Sequence, residues 1–239
     1  MKKSTHNLET HLENQARNAD QFVNFFWHVI RSAFILKTLK KYNKTNSVVD
    51  VGAGAGVFFK HYLTEFPKSR YYFIEPIQAL RDRILKTPGS EVVTDPKAAL
   101  PQEAAVVLDV LEHIENDKDF LINLHQRMAS GSLLIMTCPA LSLLWSDWDV
   151  KLGHFRRYNK RSLISVVESA GFKVKESRYL FHLFLLPALW RKWSPGEGAE
   201  FPMLPTGINR LLTLWARIEL SFFGFLPFGT SVTIIAKKD

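Results

Sequence analysis

The sequence has little of what stabilises secreted domains or anchors proteins in membranes. Its 239 residues include a single cysteine, Cys138, which excludes an internal disulfide framework and favours a reducing compartment. The opening residues 1–6 are polar and basic, so we expect no secretory leader. We therefore expect a cytoplasmic location, with any membrane contact being peripheral and on the inner face.

Long uninterrupted apolar runs are also missing. Residues 180–190 form an apolar run of 11 residues, which is shorter than the roughly 20 residues of a spanning helix. Residues 208–228 are long enough, but Arg210, Arg217 and Glu219 make spanning unfavourable. The hydrophobic fraction of 46% is still ample for the core of one large domain.

Positive charge is concentrated towards the end of the chain. Residues 1–150 contain 17 Lys and Arg against 17 Asp and Glu, whereas residues 151–239 contain 14 against 6. The net charge of +8 therefore belongs to the last 89 residues. This favours an anionic partner such as a membrane surface, a phosphate-bearing substrate or nucleic acid, and a basic face that is merely solvated is the alternative.

A glycine-rich turn within residues 48–56 is the most informative stretch. Apolar β-prone residues run into glycines at positions 52, 54 and 56, and a helix is predicted from Val57. A strand, a glycine turn and a helix N-terminus form a nucleotide cradle, because glycine lets a ligand approach the backbone. The dinucleotide fingerprint Gly-x-Gly-x-x-Gly has its third glycine where this chain has Val57.

Acidic residues end three further predicted strands. Glu75 follows the strand at 70–74, Asp95 follows the strand at 91–94, and Asp109 ends the apolar strand at 104–109. The carboxyl ends of parallel strands form the edge where doubly wound sheets bind ligands, and there Glu75 is expected to bind both hydroxyls of a ribose. The alternatives are a solvated loop acid at Glu75 and a plain Asp-Pro turn at Asp95.

Three motifs together resemble the class I S-adenosylmethionine (SAM) methyltransferases. The Asp-x-Gly-x-Gly-x-Gly turn at 50–56 is similar to their first motif, and Asp-Val-Leu-Glu-His-Ile at 109–114 to their fourth. Leu-Trp-Ser-x-x-Asp at 144–149, with Gly-His-Phe-Arg-Arg-Tyr at 153–158, resembles a bacterial and archaeal group often found with surface-glycan and lipid biosynthesis. The resemblance covers roughly residues 22–180.

This resemblance implies a fold, a cofactor and a set of binding residues. The fold is α/β and Rossmann-like, with a seven-stranded, mostly parallel sheet whose last strand is antiparallel. The cofactor is SAM, with its ribose at Glu75, its adenine at Asp95 and its methyl group beside Asp109. The implied cofactor-binding residues are Asp50, Gly52, Ala53, Gly54, Gly56, Glu75, Pro76, Asp95, Asp109 and Val110.

Two histidines are candidate catalytic bases. Methylation of a hydroxyl requires that its proton be removed as the oxygen attacks, and a near-neutral imidazole is suited to that. His154 and His113 are the candidates, with a structural role as the alternative for His113. The candidate substrate-binding residues are Trp27, Arg31, Trp145, Arg156, Arg157 and Tyr158.

The loop after the fifth predicted strand allows other interpretations. Arg156 and Arg157 are suited to clamp a phosphate or a carboxylate, or alternatively to pair with Asp147 or Asp149. Asp147, Asp149 and His154 offer metal ligands, but their spacing matches no tight-loop site. We therefore expect no metal ion.

Several other function classes are disfavoured. The Asn/Asp-Pro-Pro-aromatic motif for exocyclic amines of bases is missing, and Cys138 follows the fifth predicted strand instead of the fourth, where cytosine-carbon methyltransferases carry their nucleophile. Nucleic acid is therefore an unfavoured partner, and Cys138 is expected to be a buried thiol. Two rival functions remain: a nicotinamide-dependent oxidoreductase, which Val57 disfavours, and a non-catalytic, membrane-peripheral adaptor that keeps the SAM fold.

We expect a single domain over residues 1–239. It comprises an N-terminal helical region at 1–44 with a helix at 8–41, a SAM-binding core at 45–180, an apolar helical insertion at 181–229 between the sixth and seventh strands, and the last strand at 230–239. The predicted reaction is O-methylation of a small or amphiphilic acceptor linked to lipid or glycan.

The insertion is expected to meet a partner through one apolar stripe. That stripe comprises Leu211, Trp215, Ile218, Phe222 and Phe225. An interfacial helix or a lid over an amphiphilic acceptor is the favoured interpretation. A helix pair packed on its own domain, or on a second copy of the chain, is the alternative, and the sequence leaves the oligomeric state open.

Overall fold

A seven-stranded mixed sheet forms the centre of the molecule in the computed structural model, which describes residues 22–95, 97–193, 204–222 and 224–239. The strands are β1 (Ser47–Val51), β2 (Arg70–Ile74), β3 (Ser90–Val92), β4 (Ala104–Leu108), β5 (Leu133–Pro139), β6 (Lys173–Leu180) and β7 (Ser231–Lys237). Their order across the sheet is β3-β2-β1-β4-β5-β7-β6. Strands β1 to β5 pair in parallel, whereas β7 lies antiparallel between β5 and β6. The predicted Rossmann-like fold is thus confirmed.

Helices cover both faces of this sheet. They are α1 (Phe26–Lys41), α2 (Val57–Glu65), α3 (Gln78–Leu85), α4 (Asp117–Arg127), α5 (Asp147–Lys151), α6 (Lys160–Ser169), α7 (Leu185–Trp193) and α8 (Thr206–Phe222). In β4, Val106 joins the apolar cluster beneath α1 and α2, and its neighbours Ala105 and Val107 join the cluster beneath α4 and α6. Because successive strand residues point to opposite faces, a strand buried on both sides reads as a continuous apolar run.

Among the described residues, the predicted helix at 8–41 is broken by a turn at Asn24 and Phe25. Of the predicted helix at 8–41, residues 8–21 lie outside the described part of the chain, and α1 begins only at Phe26. Asn209 of α8 supplies the reason: its Oδ1 accepts from the Phe26 N–H at 2.9 Å, and its Nδ2 donates to the Asn24 carbonyl at 2.7 Å. A side chain from the insertion therefore caps α1, which local sequence cannot foretell.

The insertion packs on the domain through α8, whose half-buried Leu212 and Leu220 contact the core. Ala216 and Glu219 of α8 are buried, and α8 lies against α1. Glu219 accepts backbone hydrogen bonds from His182 at 2.9 Å and from Leu183 at 3.3 Å, which ties α8 to the segment entering α7. In the described ranges no helix is both long and apolar enough to cross a membrane.

The predicted apolar stripe of the insertion faces away from the domain. Together with α7 it forms what we term the outer face: Leu186, Trp190, Leu211, Leu214, Trp215, Ile218, Phe222 and Phe225, all exposed. The exposed fraction is 77% for Phe225, 76% for Trp190 and 70% for Phe222. A group of exposed large apolar side chains of this kind is typical of an interaction site.

The cap from Asn209 gives a test of how α8 supports α1. We expect Asn209→Ala to lower the free energy of unfolding by about 1 kcal/mol, because the Phe26 N–H and the Asn24 carbonyl lose their partner. Denaturant unfolding measures the change. Asn116→Ala is the matched control, since Asn116 occupies the N-cap of α4 without a side-chain cap hydrogen bond. Equal losses in both variants would contradict the role of Asn209.

Candidate active site

The glycine turn adopts a backbone that needs glycine at three positions. Gly52, Gly54 and Gly56 have φ of +80°, +55° and +74°, values that side chains rarely allow. A Cβ on Gly52 would lie 2.5 Å from Val110 Cγ2, and one on Gly56 would lie 2.9 Å from Ile84 Cγ1. A Cβ on Gly54 would meet nothing within 4 Å, so the middle of the turn faces open space that a ligand can enter.

Glu75 ties the glycine turn to the end of β2. It is only 6% exposed, and its two carboxylate oxygens accept from the backbone N–H of Gly54 at 2.8 Å and of Ile77 at 2.9 Å. Burial raises the pKa of Glu75, while these two hydrogen bonds oppose the rise. A carboxylate offers about four acceptor positions. Two therefore remain for the hydroxyls of a ribose, which fits the predicted role.

Asp50 lies beneath the turn as a buried carboxyl. Its Oδ2 accepts from Tyr71 Oη at 2.5 Å, and its Oδ1 makes no hydrogen bond within the described part of the chain. Burial raises the pKa of Asp50 to about 7, although the Tyr71 hydrogen bond and the Arg31 charge oppose the rise. Asp50 thus titrates near neutrality below the ligand-binding turn.

Asp109 connects three elements at the end of β4. It has a positive φ of +55°, which is uncommon for a residue other than glycine and recurs at functional sites. Its Oδ1 accepts from Thr137 Oγ1 of β5 at 2.9 Å, and its Oδ2 forms an ion pair with Arg31 of α1. Arg31 also contacts His28 Nδ1 at 3.0 Å. The structure therefore brings the predicted substrate residue Arg31 to the predicted methyl-flanking residue Asp109.

Asp149 orients His154 in the loop after β5. The side chain of Asp149 is fully buried, and its Oδ1 lies 2.8 Å from His154 Nδ1 and 2.8 Å from Arg157 Nε. Burial would raise the pKa of Asp149, but the hydrogen bonds from His154 and Arg157 outweigh it and hold the pKa below the usual value. An ionised carboxylate only accepts, so Nδ1 of His154 donates and Nε2 keeps its lone pair.

The two predicted bases lie side by side. The rings of His113 and His154 meet edge to face, with centroids 4.7 Å apart. Glu112 joins them: one potential ligand atom from each of the three residues lies within 4.8 Å of the others. Burial and the charge of Asp109 raise the pKa of Glu112 well above its usual value. An acid and two imidazoles thus meet next to the end of β4.

Other predicted cofactor residues have simpler surroundings. Ala53 N–H donates to the Ile74 carbonyl at 3.3 Å, and the Pro76 carbonyl accepts from Arg81 at 2.7 Å. Asp95 is exposed and accepts from the Lys97 N–H at 2.8 Å, an arrangement typical of the Asp-Pro turn weighed as its alternative. An adenine contact at Asp95 stays a prediction.

The remaining predicted substrate residues form contacts within the protein. Trp27 stacks on Phe181 at the start of the insertion, with ring centroids 3.8 Å apart. Arg156 pairs with Asp117 at 2.7 Å, as does the buried Tyr158 hydroxyl. Trp145 is half-buried after a 3₁₀ turn. The Arg157 contact with Asp149 matches the alternative interpretation, so a phosphate clamp stays a prediction.

Two functional candidates escaped the sequence reasoning. Glu112 was passed over although it adjoins His113 within the 3₁₀ turn Leu111–His113, and adjacent ligand-type residues after an apolar strand were the available signal. Asp149 was considered only as a partner for arginines or a metal, whereas it also holds His154. The predicted buried thiol is confirmed, because Cys138 is fully buried in β5.

Comparison with known protein families identifies the family to which this chain belongs. A family model described as a methyltransferase domain matches residues 16–177. The chain belongs to this methyltransferase-domain family. No curated protein sequence is similar enough to this methyltransferase to count as a relative.

Solved methyltransferase structures share the fold at low identity. A SAM-dependent methyltransferase from Archaeoglobus fulgidus has a TM-score of 0.53 and 14% identity, over 87% of this chain and 94% of that one. Coclaurine N-methyltransferase bound to N-methylheliamine and S-adenosylhomocysteine (SAH) has a TM-score of 0.57 and 15% identity, over 87% and 70%. An O-methyltransferase family protein from Burkholderia thailandensis has a TM-score of 0.56 and 12% identity, over 95% and 58%. These similarities show the fold, in both N- and O-methyltransferases.

The chain is therefore a SAM-dependent methyltransferase, and the predicted cofactor is confirmed at the level of the family. The residues present fit this cofactor, because the turn is open at Gly54 and the buried Glu75 has acceptor positions in reserve. The rival assignment to nicotinamide-dependent oxidoreductases does not agree with the family.

Glu75 gives a direct test of the cofactor site. We expect Glu75→Ala to weaken SAH binding at least about 10-fold, because a charged acceptor for the ribose and the brace on Gly54 are both lost. Calorimetric titration of wild type and variant measures this. Glu65→Ala is the control, since Glu65 pairs with Lys40 on the surface, and it should bind as wild type does. Unchanged binding by folded Glu75→Ala would exclude the assigned role.

Proposed function

We propose that this methyltransferase transfers methyl from SAM to a hydroxyl of an amphiphilic, lipid- or glycan-linked acceptor. The observation that carries the proposal is the Asp149–His154 pair, whose imidazole lies beside Glu112 and His113. A neutral amine can attack a methyl group with its free lone pair, whereas a hydroxyl benefits from a base at the moment of attack. An oriented imidazole therefore favours an oxygen acceptor.

The residues have distinct roles in this reaction. When bound, SAM supplies an activated methyl group and leaves as SAH once the acceptor oxygen has formed its bond to the methyl carbon. In the protein without a metal ion, His154 Nε2 takes the hydroxyl proton, and Asp149 stabilises the resulting imidazolium. Arg31 and Thr137 fix Asp109 at the end of β4. The rate then depends chiefly on holding the acceptor in line with the methyl group.

The insertion supports an amphiphilic acceptor, because it borders both sides of the site. Trp27, one turn before Arg31 on α1, stacks on Phe181 at the start of the insertion. Lys192 of α7 donates to the Leu143 carbonyl at 2.9 Å, in the loop that continues to Trp145 and His154. An apolar tail can therefore lie along the insertion while its polar head reaches the site.

A membrane surface is the partner we propose for the outer face. Its apolar side chains are accompanied by the exposed Arg210 and Arg217. Apolar burial together with attraction to anionic headgroups, about 1 kcal/mol per basic residue near the surface, describes a helix lying in the interface. The methyltransferase would then take its acceptor from the lipid layer.

Asp149→Asn tests the reaction. Methyl-labelled SAM is offered with a bacterial lipid extract and with the same extract after deacylation. We expect label in alkali-stable ethers of the intact extract and about 100-fold less with Asp149→Asn, because His154 loses the charge that orients it. Asp147→Asn is the control, since Asp147 is exposed on α5 and should transfer as wild type does.

His154→Gln serves as the second variant if Asp149→Asn does not fold. The proposed methylation of a hydroxyl would be excluded if the labelled methyl group were found on amines. It would also be excluded if the wild type and both variants transferred equal amounts of label. Label that enters only the deacylated, water-soluble acceptors would contradict the amphiphilic class. In each case SAH titration shows whether the cofactor site itself is intact.

The outer face is tested by sedimentation with vesicles. We expect the wild type to bind phosphatidylglycerol-containing vesicles and to bind pure phosphatidylcholine at least about 10-fold more weakly. The double variant Leu211→Asp/Phe222→Asp should lose binding, because it places two charges in the apolar face. Leu85→Asp is the control, as Leu85 is 46% exposed on α3. If the protein did not bind vesicles but dimerised through the outer face, the proposal that this face binds a membrane would be contradicted.

A further inference from the structure

Three residues of metal-binding type meet at the end of β4. Glu112 and His113 belong to the 3₁₀ turn after that strand, and His154 comes from the loop after α5. One ligand atom from each lies within 4.8 Å of the others. Bonds of about 2.1 Å to a shared ion require ligand atoms about 3–3.5 Å apart. Side-chain movements of about 1 Å would therefore bring the three ligand atoms within bonding distance of one ion.

Glu112 has a carboxylate oxygen that the described protein does not satisfy. The residue is 1% exposed, and its Oε2 makes no hydrogen bond among the residues that the structure describes. Burying a carboxylate without a partner is costly, and buried charges are as a rule paired or bound to metals. A cation between Glu112 and the two histidines would satisfy this oxygen.

His154 is already oriented as metal-binding histidines are. Its Nδ1 is held by the Asp149 carboxylate at 2.8 Å, and Asp149 is in turn held by Arg157 and by the Ser146 N–H. Metal-ligating imidazoles almost always donate their other ring N–H to such a partner, which fixes the tautomer and aims the remaining nitrogen. Nε2 of His154 is thus the nitrogen left to face Glu112 and His113.

The cluster also lies next to the cofactor turn. Val110, one residue after Asp109 and two before Glu112, packs so closely on Gly52 that a Cβ there would lie 2.5 Å from its Cγ2. The Phe155 N–H donates to the Glu112 carbonyl at 2.8 Å, which joins the 3₁₀ turn to the loop of His154. The two sites therefore share one edge of the sheet.

We propose that Glu112, His113 and His154 bind a divalent first-row transition metal ion at the acceptor side of the cofactor site. Two imidazoles and one carboxylate with open positions suit Zn²⁺, Co²⁺, Mn²⁺ or Fe²⁺ better than Mg²⁺ or Ca²⁺, which prefer oxygen ligands. Sequence spacing does not reveal this set, because His154 is distant in sequence from the other two residues. Asp147, part of the set it rejected, has no place in the cluster.

The catalytic role of the ion rests on the proposed function, whereas its binding does not. The acceptor hydroxyl would fill an open position and give up its proton to water more readily, its oxygen would bond to the methyl carbon, and the carbon–sulfur bond of SAM would break. His154 would then be a ligand and not the base. The two roles of His154 are therefore alternatives that metal titration decides.

The test is titration of the metal-free full chain with Co²⁺, read by visible absorption and by equilibrium dialysis, with and without SAH. We expect saturable binding of a single ion with ligand-field bands, displaced by Zn²⁺. Glu112→Gln, His113→Gln and His154→Gln should each abolish the bands. Asp149→Asn should weaken Co²⁺ affinity about 10- to 100-fold, as loss of an outer-shell partner does.

Controls separate this site from general binding to histidine. His125→Gln should bind Co²⁺ as wild type does, because the His125 ring packs on Phe172 away from the cluster. The proposal fails if a chain that binds SAH takes up no Co²⁺, or if Glu112→Gln and His154→Gln retain the wild-type spectrum. Since SAH binding is measured on the same samples, failure of the metal site is distinguishable from failure of the cofactor site.

Discussion

Parallel pairing of β1 with β2 and β4 is the constraint on which the candidate site depends. Asp50 stands opposite Phe73 on one side and Val106 on the other, so the three strands end together. The Gly52 N–H continues this pairing beyond the strand by donating to the Ile74 carbonyl at 2.7 Å. The glycine turn, Glu75 and Asp109 meet only because this backbone register brings three separate loops to one edge.

Buried carboxyl groups give that edge its chemistry. Asp50, Glu75, Glu112 and Asp149 are all at most 6% exposed, yet each has different partners. Asp149 is held by His154 and Arg157 and has a lowered pKa, whereas one oxygen of Asp50 has no hydrogen-bond partner among the described residues and burial raises the pKa of Asp50 to about 7. An anion next to a cation or an imidazole is stabilised, and one without such partners is shifted towards its neutral form. This contrast makes Asp149 a positioning group and leaves Glu112 suited to a cation.

The insertion shows that an amphipathic pattern does not say which of its sides faces the protein. The apolar stripe of α8 was expected to meet a partner or an acceptor, with packing on its own domain as the alternative, and its side chains are exposed. The helix is held against the domain by hydrogen bonds between the backbone and the side chains of Asn209 and Glu219, and by the packing of Leu212, Ala216 and Leu220 on the core. Polar and apolar side chains of α8 thus share the contact with the domain, and the apolar side chains of the stripe stay exposed. This arrangement is what links the insertion to an amphiphilic acceptor in the proposed function.

The sequence by itself determined the sheet, its antiparallel last strand, the glycine turn and the acids that follow β2, β3 and β4. These follow from local rules: β-branched runs form strands, glycine permits positive φ, and chain order fixes which strand ends carry which residue. Only the tertiary structure decided that α1 begins at Phe26, whose backbone N–H donates to Asn209, 183 residues away in sequence. The tertiary structure also decided that Glu112 and His113 lie next to His154. It likewise decided that Asp149 forms a hydrogen bond with His154. Such contacts join loops from different strands, and their geometry depends on how the whole sheet packs, which no local pattern encodes.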